Sequence, residues 1–475
     1  MRSAPMLVVL ALSGCVGAPG YVPPPVAVPA AYRETDPSRT TAPDGAVRDR
    51  SALNEAVDFD TEYWRRLGDT TLARLIDEAV GANLDVRAAQ ARVRGARAAR
   101  TRAALDLTPE GVVSGGYTRR RLASATFPGA SGRFPDEDIW DAGFDAAWEL
   151  DLFGRLRHNV RAQDALVAVS REDLRGVLVA LTAELARAYF ELRGAEEQLA
   201  VARRNADNQR RTFELTQQRL QAGRGTAFDT ERATAQLNVT LASIPTREAQ
   251  VAAAQYRIGV LVGRSPAAVA GELGPSGQRP TLPDTVPVAS PDSVTRHRPD
   301  VAAAERFAAA QSALVGSARA EYLPRLSIGG SVGYSASEFN ALGNTGTFRY
   351  AVGPVLSWPA LNLGRVGANV NLARARADAA RAEYGQVVLA AIEEVETALA
   401  RYRASRLRVE RLEQASAASE RAAELARMRF TEGITDFLQV LDAERTQLES
   451  QDLLAQGRTE TETAYAALYK ALGGG

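Results

Sequence analysis

Two stretches of this sequence decide its fold: WELDLFGR at residues 148–155 and WPALNLGR at residues 358–365. They lie 210 residues apart in a chain of 475. The stretch RLQAG at residues 219–223 recurs at the same distance, as RFTEG at residues 429–433. Similarity at one long, fixed distance is the mark of internal duplication. The sequence therefore predicts two copies of one unit.

The region before these stretches is duplicated at a slightly larger distance. Asp85 and Asp300 lie 215 residues apart, and each is followed 24 residues later by a proline, Pro109 or Pro324. The distance between the copies then falls to 210 at the tryptophans. We therefore expect the second copy to contain one loop that is about five residues shorter.

Segments rich in glycine and aromatic residues follow each of these prolines. In the first copy they are residues 111–122 and 138–148, and in the second copy residues 325–336 and 347–358. Large side chains occupy nearly every second position of residues 326–334, with small residues between them. This period of two is typical of strands. We expect one β-hairpin in each copy.

Long helices are expected after each hairpin. Residues 154–223 contain no proline, and leucine or alanine recurs in alternating steps of three and four from Leu178 to Leu199. The pattern returns in the second copy from Val388 to Tyr402. Such spacing is typical of coiled-coil packing, in which alanine lets helices approach closely. A helix of about 68 residues would be about 100 Å long, a length suited to crossing the periplasm.

The composition argues against an enzyme. Positive and negative charges balance at 57 each, Lys470 is the sole lysine, and the two histidines, His158 and His297, accompany a single cysteine, Cys15. A zinc site of His and Cys ligands and a disulfide within the chain are therefore not expected. Acidic residues are scattered along helical stretches, which is typical of charges on the solvated face of a helix. We expect no catalysis, no cofactor and no nucleic-acid partner.

The N-terminus has the features of a bacterial lipoprotein signal. Arg2 precedes a short apolar run at residues 6–12, which leads into the sequence LSGC ending at Cys15. A basic start, a short apolar segment and small residues before the cleavage site are typical of secretory signals. Cys15 would become the first residue of the mature chain and carry the lipid. Val16 replaces the aspartate that tends to retain lipoproteins at the inner membrane, which favours the outer membrane.

The hairpins need partners if they lie in a membrane. No other stretch reaches the roughly 20 apolar residues that a spanning helix requires, so spanning would have to use strands. Four strands cannot close on themselves, and every amide in hydrocarbon must be paired. Two chains would give eight strands and three would give twelve. Because eight-stranded barrels are filled by side chains, a wide ring of helices favours three. The alternative is a non-channel periplasmic coiled-coil lipoprotein.

Several motifs, taken together in their order along the chain, resemble those of the outer-membrane efflux factors, the TolC-like channels. The most specific are RPDVAAAE at 298–305, YLP at 322–324, WELDLFGR at 148–155, AGRGT at 222–226 and VLDA at 440–443. The chain is similar in particular to the lipidated, NodT-type branch that serves multidrug exporters. The resemblance implies a mainly α fold with a membrane β-barrel. Two β-hairpins per chain would form a 12-stranded barrel in a trimer, continued by an α-helical barrel of duplicated helical hairpins.

The resemblance also implies a function and partners. The trimer would be the outer-membrane channel of a tripartite efflux system in a Gram-negative bacterium, passively conducting drugs or other small molecules. Its partners would be a periplasmic adaptor, an inner-membrane transporter, of the proton-driven multidrug type, and outer-membrane lipid. A type I protein-secretion channel has the same architecture and is the alternative function. The lipoprotein signal and the RPDV motif argue mildly against that alternative.

The resemblance assigns roles to the turns of the two helical hairpins. In this family the turns form the periplasmic tip, where the tunnel closes and the adaptor docks. The expected docking residues are Gly223, Arg224, Gly225, Thr226 and Gly433. The expected gate and constriction positions are Asp229, Asp442, Gln439, Thr435 and Phe430.

Some of these positions depart from the family pattern. Asp229 matches the acidic partner of the closing links, but Phe430 and Thr435 stand where an aromatic hydroxyl and an arginine would reach towards it. Those two links cannot form, and the candidates to replace them are Arg224, Arg427 and Arg429. At the constriction, Asp442 keeps one carboxylate and Gln439 replaces another. Three Asp442 carboxylates near a threefold axis would favour cations.

The predicted domain boundaries combine these features. In chain order they are a signal peptide at 1–14, a lipidated proline-rich tether at 15–50, a first repeat at 51–270, a linker at 271–297 and a second repeat at 298–475. The first repeat has its β-hairpin at about 111–148 and its tip at about 223–228. The second repeat has its β-hairpin at about 325–358 and its tip at about 431–437. The return helix of the first repeat contains Pro245, where we expect a kink or a new segment.

Overall fold

The computed structural model describes most of the chain. The described residues are 21–22, 25–35, 62–129, 132–273, 279–283, 286, 288 and 290–474. The predicted signal peptide, Cys15 and most of the predicted tether lie outside them. Two compact units are present. We call residues 92–171 and 303–385, with the few described residues before Val26, the sheet unit. The helical unit consists of residues 26–91, 172–302 and 386–474.

The described elements follow the predicted order of helices and hairpins. The helices are α1 (Glu62–Arg65), α2 (Thr70–Ala82), α3 (Leu84–Leu105), α4 (Arg155–Gln221), α5 (Ala227–Leu261), α6 (Pro266–Ala270), α7 (Pro291–His297), α8 (Pro299–Ala320), α9 (Leu363–Thr431) and α10 (Phe437–Ala471). The strands are β1 (Glu110–Arg120), β2 (Glu137–Leu150), β3 (Arg325–Ala336) and β4 (Phe348–Ser357). Each strand begins and ends within two residues of its predicted position.

The sheet unit contains one four-stranded antiparallel sheet in the order β1-β2-β3-β4. The duplicated tryptophans close the base of each hairpin. The indole of Trp148 donates a hydrogen bond to the carbonyl of Leu107 at 2.9 Å, and that of Trp358 donates to Tyr322 at 3.0 Å. Both acceptors lie just before the proline that precedes a strand. The repeated motif therefore holds each hairpin to the helix before it.

The rest of the WELDLFGR motif begins helix α4. The Asp151 carboxylate accepts hydrogen bonds from the amides of Leu156 and Arg157 at 3.1 and 2.9 Å. Gly154 has a φ of 81°, which is costly for residues with a Cβ. Capping of free amides and a permissive glycine explain why this motif ends a strand and starts a helix.

The core of the helical unit combines a leucine seam with a group of aromatic side chains. Leu185 and Leu192 of the predicted seam are fully buried. The ring of Trp64 lies 4.6 Å from that of Tyr469, measured between centroids, and Tyr63 stacks on Tyr465 at 5.5 Å. Helices α4 and α10 are therefore joined to the short α1 by apolar packing.

The structure shows what the chain does at Pro245 and in the predicted linker. Helix α5 continues through Pro245, so the chain neither breaks there nor begins a new element. The predicted linker at 271–297 ends in helix α7, because Ser290 caps it and Pro291 suits its first position. Within the described residues, no helix has the length and apolar character needed to cross a membrane.

Candidate functional site

The turns of the two helical hairpins share one backbone geometry. After α4, Gly223 has a φ of 69°, and the amide of Arg224 donates to the carbonyl five residues earlier at 2.8 Å. After α9, Gly433 has a φ of 77°, and the amide of Ile434 makes the same bond at 2.8 Å. This is a Schellman ending, which favours glycine at the residue with positive φ. The two predicted tip glycines therefore have a local structural role.

The helix after each turn is capped from an equivalent position. Thr226 accepts a hydrogen bond from the amide of Asp229 at 3.2 Å, and its hydroxyl donates to the Asp229 carboxylate at 2.7 Å. In the second copy, Asp436 accepts from the amide of Gln439 at 3.2 Å. The 210-residue spacing makes Asp229 and Gln439 equivalent. The predicted gate residue Asp229 thus takes part in the Thr226 cap that stabilises the start of α5.

Phe430 is a packing residue of the tip. It is 7% exposed and packs with Ala233, Phe437 and Val440. The guanidinium of Arg219 lies 4.4 Å from the centre of its ring, and Nη1 of Arg219 donates to the Phe430 carbonyl at 2.6 Å. Arg219 therefore links the end of α4 to the end of α9. Sequence reasoning did not select Arg219, although it opens the duplicated RLQAG motif.

One of the candidate replacement arginines is engaged elsewhere. Nη1 of Arg427 lies 3.4 Å from Oε1 of Glu444, and the Thr212 hydroxyl donates to the same oxygen at 2.8 Å. Glu444 is 4% exposed, and this burial raises the pKa of its carboxyl group. The structure therefore pairs Arg427 with Glu444 and not with Asp229. The other two candidates, Arg224 and Arg429, are exposed.

The constriction positions lie at the start of α10. Asp442 and Gln439 are exposed, and Thr435 is half-buried in the turn before the helix. A constriction carboxylate must be exposed in the single chain and lie near the tip, and Asp442 meets both requirements. Its counterpart 210 residues earlier is Arg232, so the two copies carry opposite charges here.

Exposed apolar side chains also occupy equivalent positions beside the two turns. Phe228 is 66% exposed and Leu438 is 52% exposed, each at the second residue of its helix. Ile434 in the second turn is 66% exposed. Sequence reasoning missed these residues, although the 210-residue spacing relates Phe228 to Leu438. Each of the two turns therefore has a large exposed apolar side chain beside it.

The sheet has one apolar and one polar face. Side chains alternate between the faces along each strand, and the register extends each face across all four strands. The exposed apolar side chains of one face are Val113, Tyr117, Phe144, Trp148, Ile328, Val332, Tyr334, Phe348, Tyr350, Val352 and Leu356. The opposite face is mostly Gly, Ser, Asp and Glu, with Val112 and Val355 as exposed apolar exceptions. This division is expected of a sheet between lipid and water.

The described part of the chain contains no group of His, Cys, Asp and Glu side chains that could hold a metal ion. The candidate site consists instead of surfaces: the two hairpin turns of the helical unit and the two faces of the sheet.

Comparison with known proteins agrees with these features. The family model described as "Outer membrane efflux protein" matches residues 75–264 and 291–474, so that one matched segment covers most of each repeat. The chain is 31% identical to outer membrane protein OprJ of Pseudomonas aeruginosa, over 99% of this chain and 95% of OprJ. It is 27% identical to nodulation protein T of Rhizobium leguminosarum bv. trifolii, over 98% of this chain and 96% of that protein.

A solved structure gives the same result at the level of the fold. The outer-membrane channel OprN is 36% identical to this chain and superposes with a TM-score of 0.85, over 97% of this chain and 99% of OprN. The mainly helical fold with a duplicated β-hairpin domain is therefore that of a TolC-like channel. The chain belongs to the outer membrane efflux protein family and is an efflux channel of the outer membrane of Gram-negative bacteria.

Proposed function

We propose that three copies of this chain form the outer-membrane conduit of a tripartite efflux system. The observation that carries the proposal is the two-faced sheet, in which β1 and β4 each pair on one side only within the described residues. In hydrocarbon the free amides of these two edges require partners. Pairing β4 of one copy with β1 of the next satisfies them, and three copies give twelve strands. The apolar face then contacts lipid and the polar face lines the lumen.

The conduit is passive and takes its substrates from other proteins. Its proposed partners are a periplasmic adaptor and an inner-membrane transporter of the proton-driven multidrug type. The exported compounds are drugs or other small molecules, and no reaction is catalysed. The family supports this assignment. Cys15, by the sequence of its signal, carries the lipid that anchors the mature N-terminus to the outer membrane.

The adaptor docks on the hairpin turns. Supporting observations are the two matching Schellman turns at Gly223 and Gly433 and the exposed side chains of Phe228, Leu438 and Ile434. Two chemically similar surfaces 210 residues apart give a trimer six related positions around its tip. An adaptor with an apolar end can contact such a ring repeatedly, so weak contacts add up to firm binding.

Asp442 forms the charged constriction near the same end. Threefold symmetry brings three exposed Asp442 carboxylates around one axis, and such a ring favours cations. The buried contact of Glu444 with Thr212 and Arg427 holds α4, α9 and α10 together beside the tip. Opening moves the helical hairpins relative to one another and is biased by the adaptor.

Reconstitution in planar bilayers tests the proposal. We expect the purified full-length protein to run as a heat-modifiable trimer and to give discrete single-channel currents. Multivalent cations applied at the tip should block these currents, and Asp442→Asn should weaken the block. A stable monomer without conductance contradicts the proposed function. Conducting trimers whose block is unaffected by Asp442→Asn contradict only the assigned constriction.

A further inference from the structure

Four acidic residues of strand β2 lie on the polar face of the sheet. They are Glu137, Asp141, Asp145 and Glu149. Their even spacing puts them on one face, and the register places Asp141 beside Ser335 and Asp145 beside Ser331. If the sheet closes as proposed, all four face the lumen. Their effect on a permeating ion depends on which of them is already neutralised by an arginine.

Three of the four have an arginine partner. The pairs are Glu137–Arg120 at 3.0 Å, Asp141–Arg349 at 3.5 Å and Glu149–Arg155 at 2.8 Å. Asp145 differs from them. Its carboxylate accepts a hydrogen bond from the Ser114 hydroxyl at 3.1 Å, and no arginine pairs with it among the described residues. Its negative charge is therefore not compensated locally.

The neighbours of Asp145 are small or uncharged. Val112 and Ser331 lie opposite it on the adjacent strands, and Ala351 continues the same row on β4. Arg349 belongs to the next row of side chains on the same face, in register with Gly333 and Gly143. Its guanidinium extends over Gly143 towards Asp141: Nη2 lies 3.5 Å from the Asp141 carboxylate and 3.6 Å from the place that a Cβ of Gly143 would occupy. Small neighbours leave the Asp145 carboxylate open to the space in front of the polar face.

We propose that Asp145 determines the charge selectivity of the sheet end of the channel. In a trimer, three uncompensated Asp145 carboxylates form a ring that attracts multivalent cations and cationic solutes. The inference rests on the proposed function, because only a closed sheet makes the polar face a lumen. A carboxylate ring lowers the energy of a cation in a pore, and low-dielectric walls focus its field. This ring lies in the sheet unit, whereas Asp442 belongs to the helical unit.

The test is block of single-channel current by hexaamminecobalt(III), added on the side where the sheet end of the channel opens. Asp145→Asn removes the charge with little change in size. The matched control is Asp138→Asn on the same strand. Asp138 lies on the opposite face, where it accepts the Tyr117 hydroxyl at 2.8 Å. We expect Asp145→Asn to weaken the block by about threefold or more and to lower the preference for cations over anions. Asp138→Asn should change neither.

Other outcomes would overturn the inference in distinguishable ways. Equal block in the wild type and Asp145→Asn contradicts the role of Asp145, as does equal weakening by Asp145→Asn and Asp138→Asn. Asp145→Ser, which introduces the residue type already present at 331 and 335, is the second variant. Failure of both Asp145 variants to form trimers would make Asp145 a structural residue. Absence of conductance from the wild-type protein would instead contradict the proposed function.

Discussion

Glu462 lies on α10 in the helical unit and is 5% exposed. Its Oε1 is 3.0 Å from Nη1 of Arg279, yet burial raises the pKa of the carboxyl group to about 7. The negative charge of Glu197 acts in the same direction, and Arg279 opposes it. The loss of hydration thus outweighs the attraction of the arginine. A buried ion pair here is a source of pH dependence.

We expect stability to fall as the pH rises from about 4.5 towards about 7 through Glu462. In this window the folded protein retains the proton and the unfolded chain, with the ordinary pKa of 4.5, has lost it. The contribution is at most about 3 kcal/mol. Glu462→Gln should therefore match the wild type near pH 4.5 and be the more stable protein near pH 8. Thermal unfolding followed by circular dichroism measures the difference. If Glu462→Gln were the less stable protein near pH 8, the ion pair with Arg279 would dominate.

Asp229 provides a second prediction for a single residue. Asp229→Ala removes the carboxylate that accepts the Thr226 hydroxyl and weakens the start of α5 by about 1 kcal/mol, the net contribution of one hydrogen bond. Cells carrying it should become more permeable to large antibiotics, because the tip is less firmly held. The control is Glu231→Ala, which removes an exposed carboxylate two residues further along α5. Equal susceptibility of the two variants at equal protein levels would remove the assigned role of Asp229.

At the scale of elements, Gly194 sets how closely α4 and α10 approach. A Cβ on Gly194 would lie 2.8 Å from Cγ2 of Thr459 and closer still to its hydroxyl oxygen. Gly194 is therefore required by the packing, even though glycine is a poor helix former. Both residues belong to the helical unit. Coiled-coil packing with small residues at the contact explains the choice.

We expect Gly194→Ala to destabilise the protein by about 1–3 kcal/mol, since well-packed cores do not absorb an added methyl group. Thr459→Ala in the same chain should restore part of the loss by making room. Thermal melting of the single and double variants measures both effects. Gly95→Ala, in helix α3 with no atom within 4 Å of the new Cβ, is the control and should not destabilise. Additive losses from Gly194→Ala and Thr459→Ala would contradict the steric explanation.

At the scale of the whole molecule, the open edges of the sheet require other copies. Strands β1 and β4 each have one edge whose backbone groups are unpaired, because no further strand pairs with them in the described chain. One face of the sheet is also apolar and needs to be covered. Exposed flat edges are otherwise sites of aggregation. Trimer formation therefore serves stability as well as conduction.

Cross-linking tests how the copies join. Ser114 of β1 and Ala351 of β4 both lie on the polar face, and Cys15 is the sole native cysteine. With cysteines at both positions, a short bismaleimide should give covalent dimers and trimers on denaturing gels, because β4 of one copy adjoins β1 of the next. The control pair is Ala147 with Gly329, which face each other on interior strands. It should link only within one chain. A ladder that stops at the dimer or runs past the trimer would contradict threefold closure.

The sequence by itself determined the fold class and the order of its parts. Duplication at 210 and 215 residues, the strand periodicity of residues 326–334, and the coiled-coil seam are local or repetitive signals, and the strands lie within two residues of their predicted positions. The tip glycines lie in the duplicated motifs, and their positive φ depends on interactions within each turn. Schellman endings and the side-chain caps of helices depend on residues close in the chain.

Only the tertiary structure decided which side chains meet across elements. Residues 211 or more positions apart form the contact between Arg219 and Phe430 and that between Thr212 and Glu444. No local pattern specifies them, so Arg427 was proposed for the gate and proved to pair with Glu444. The raised pKa of Glu462 likewise follows from burial by distant segments. Periodicity determines the elements, whereas packing determines the partners and charge states of their side chains.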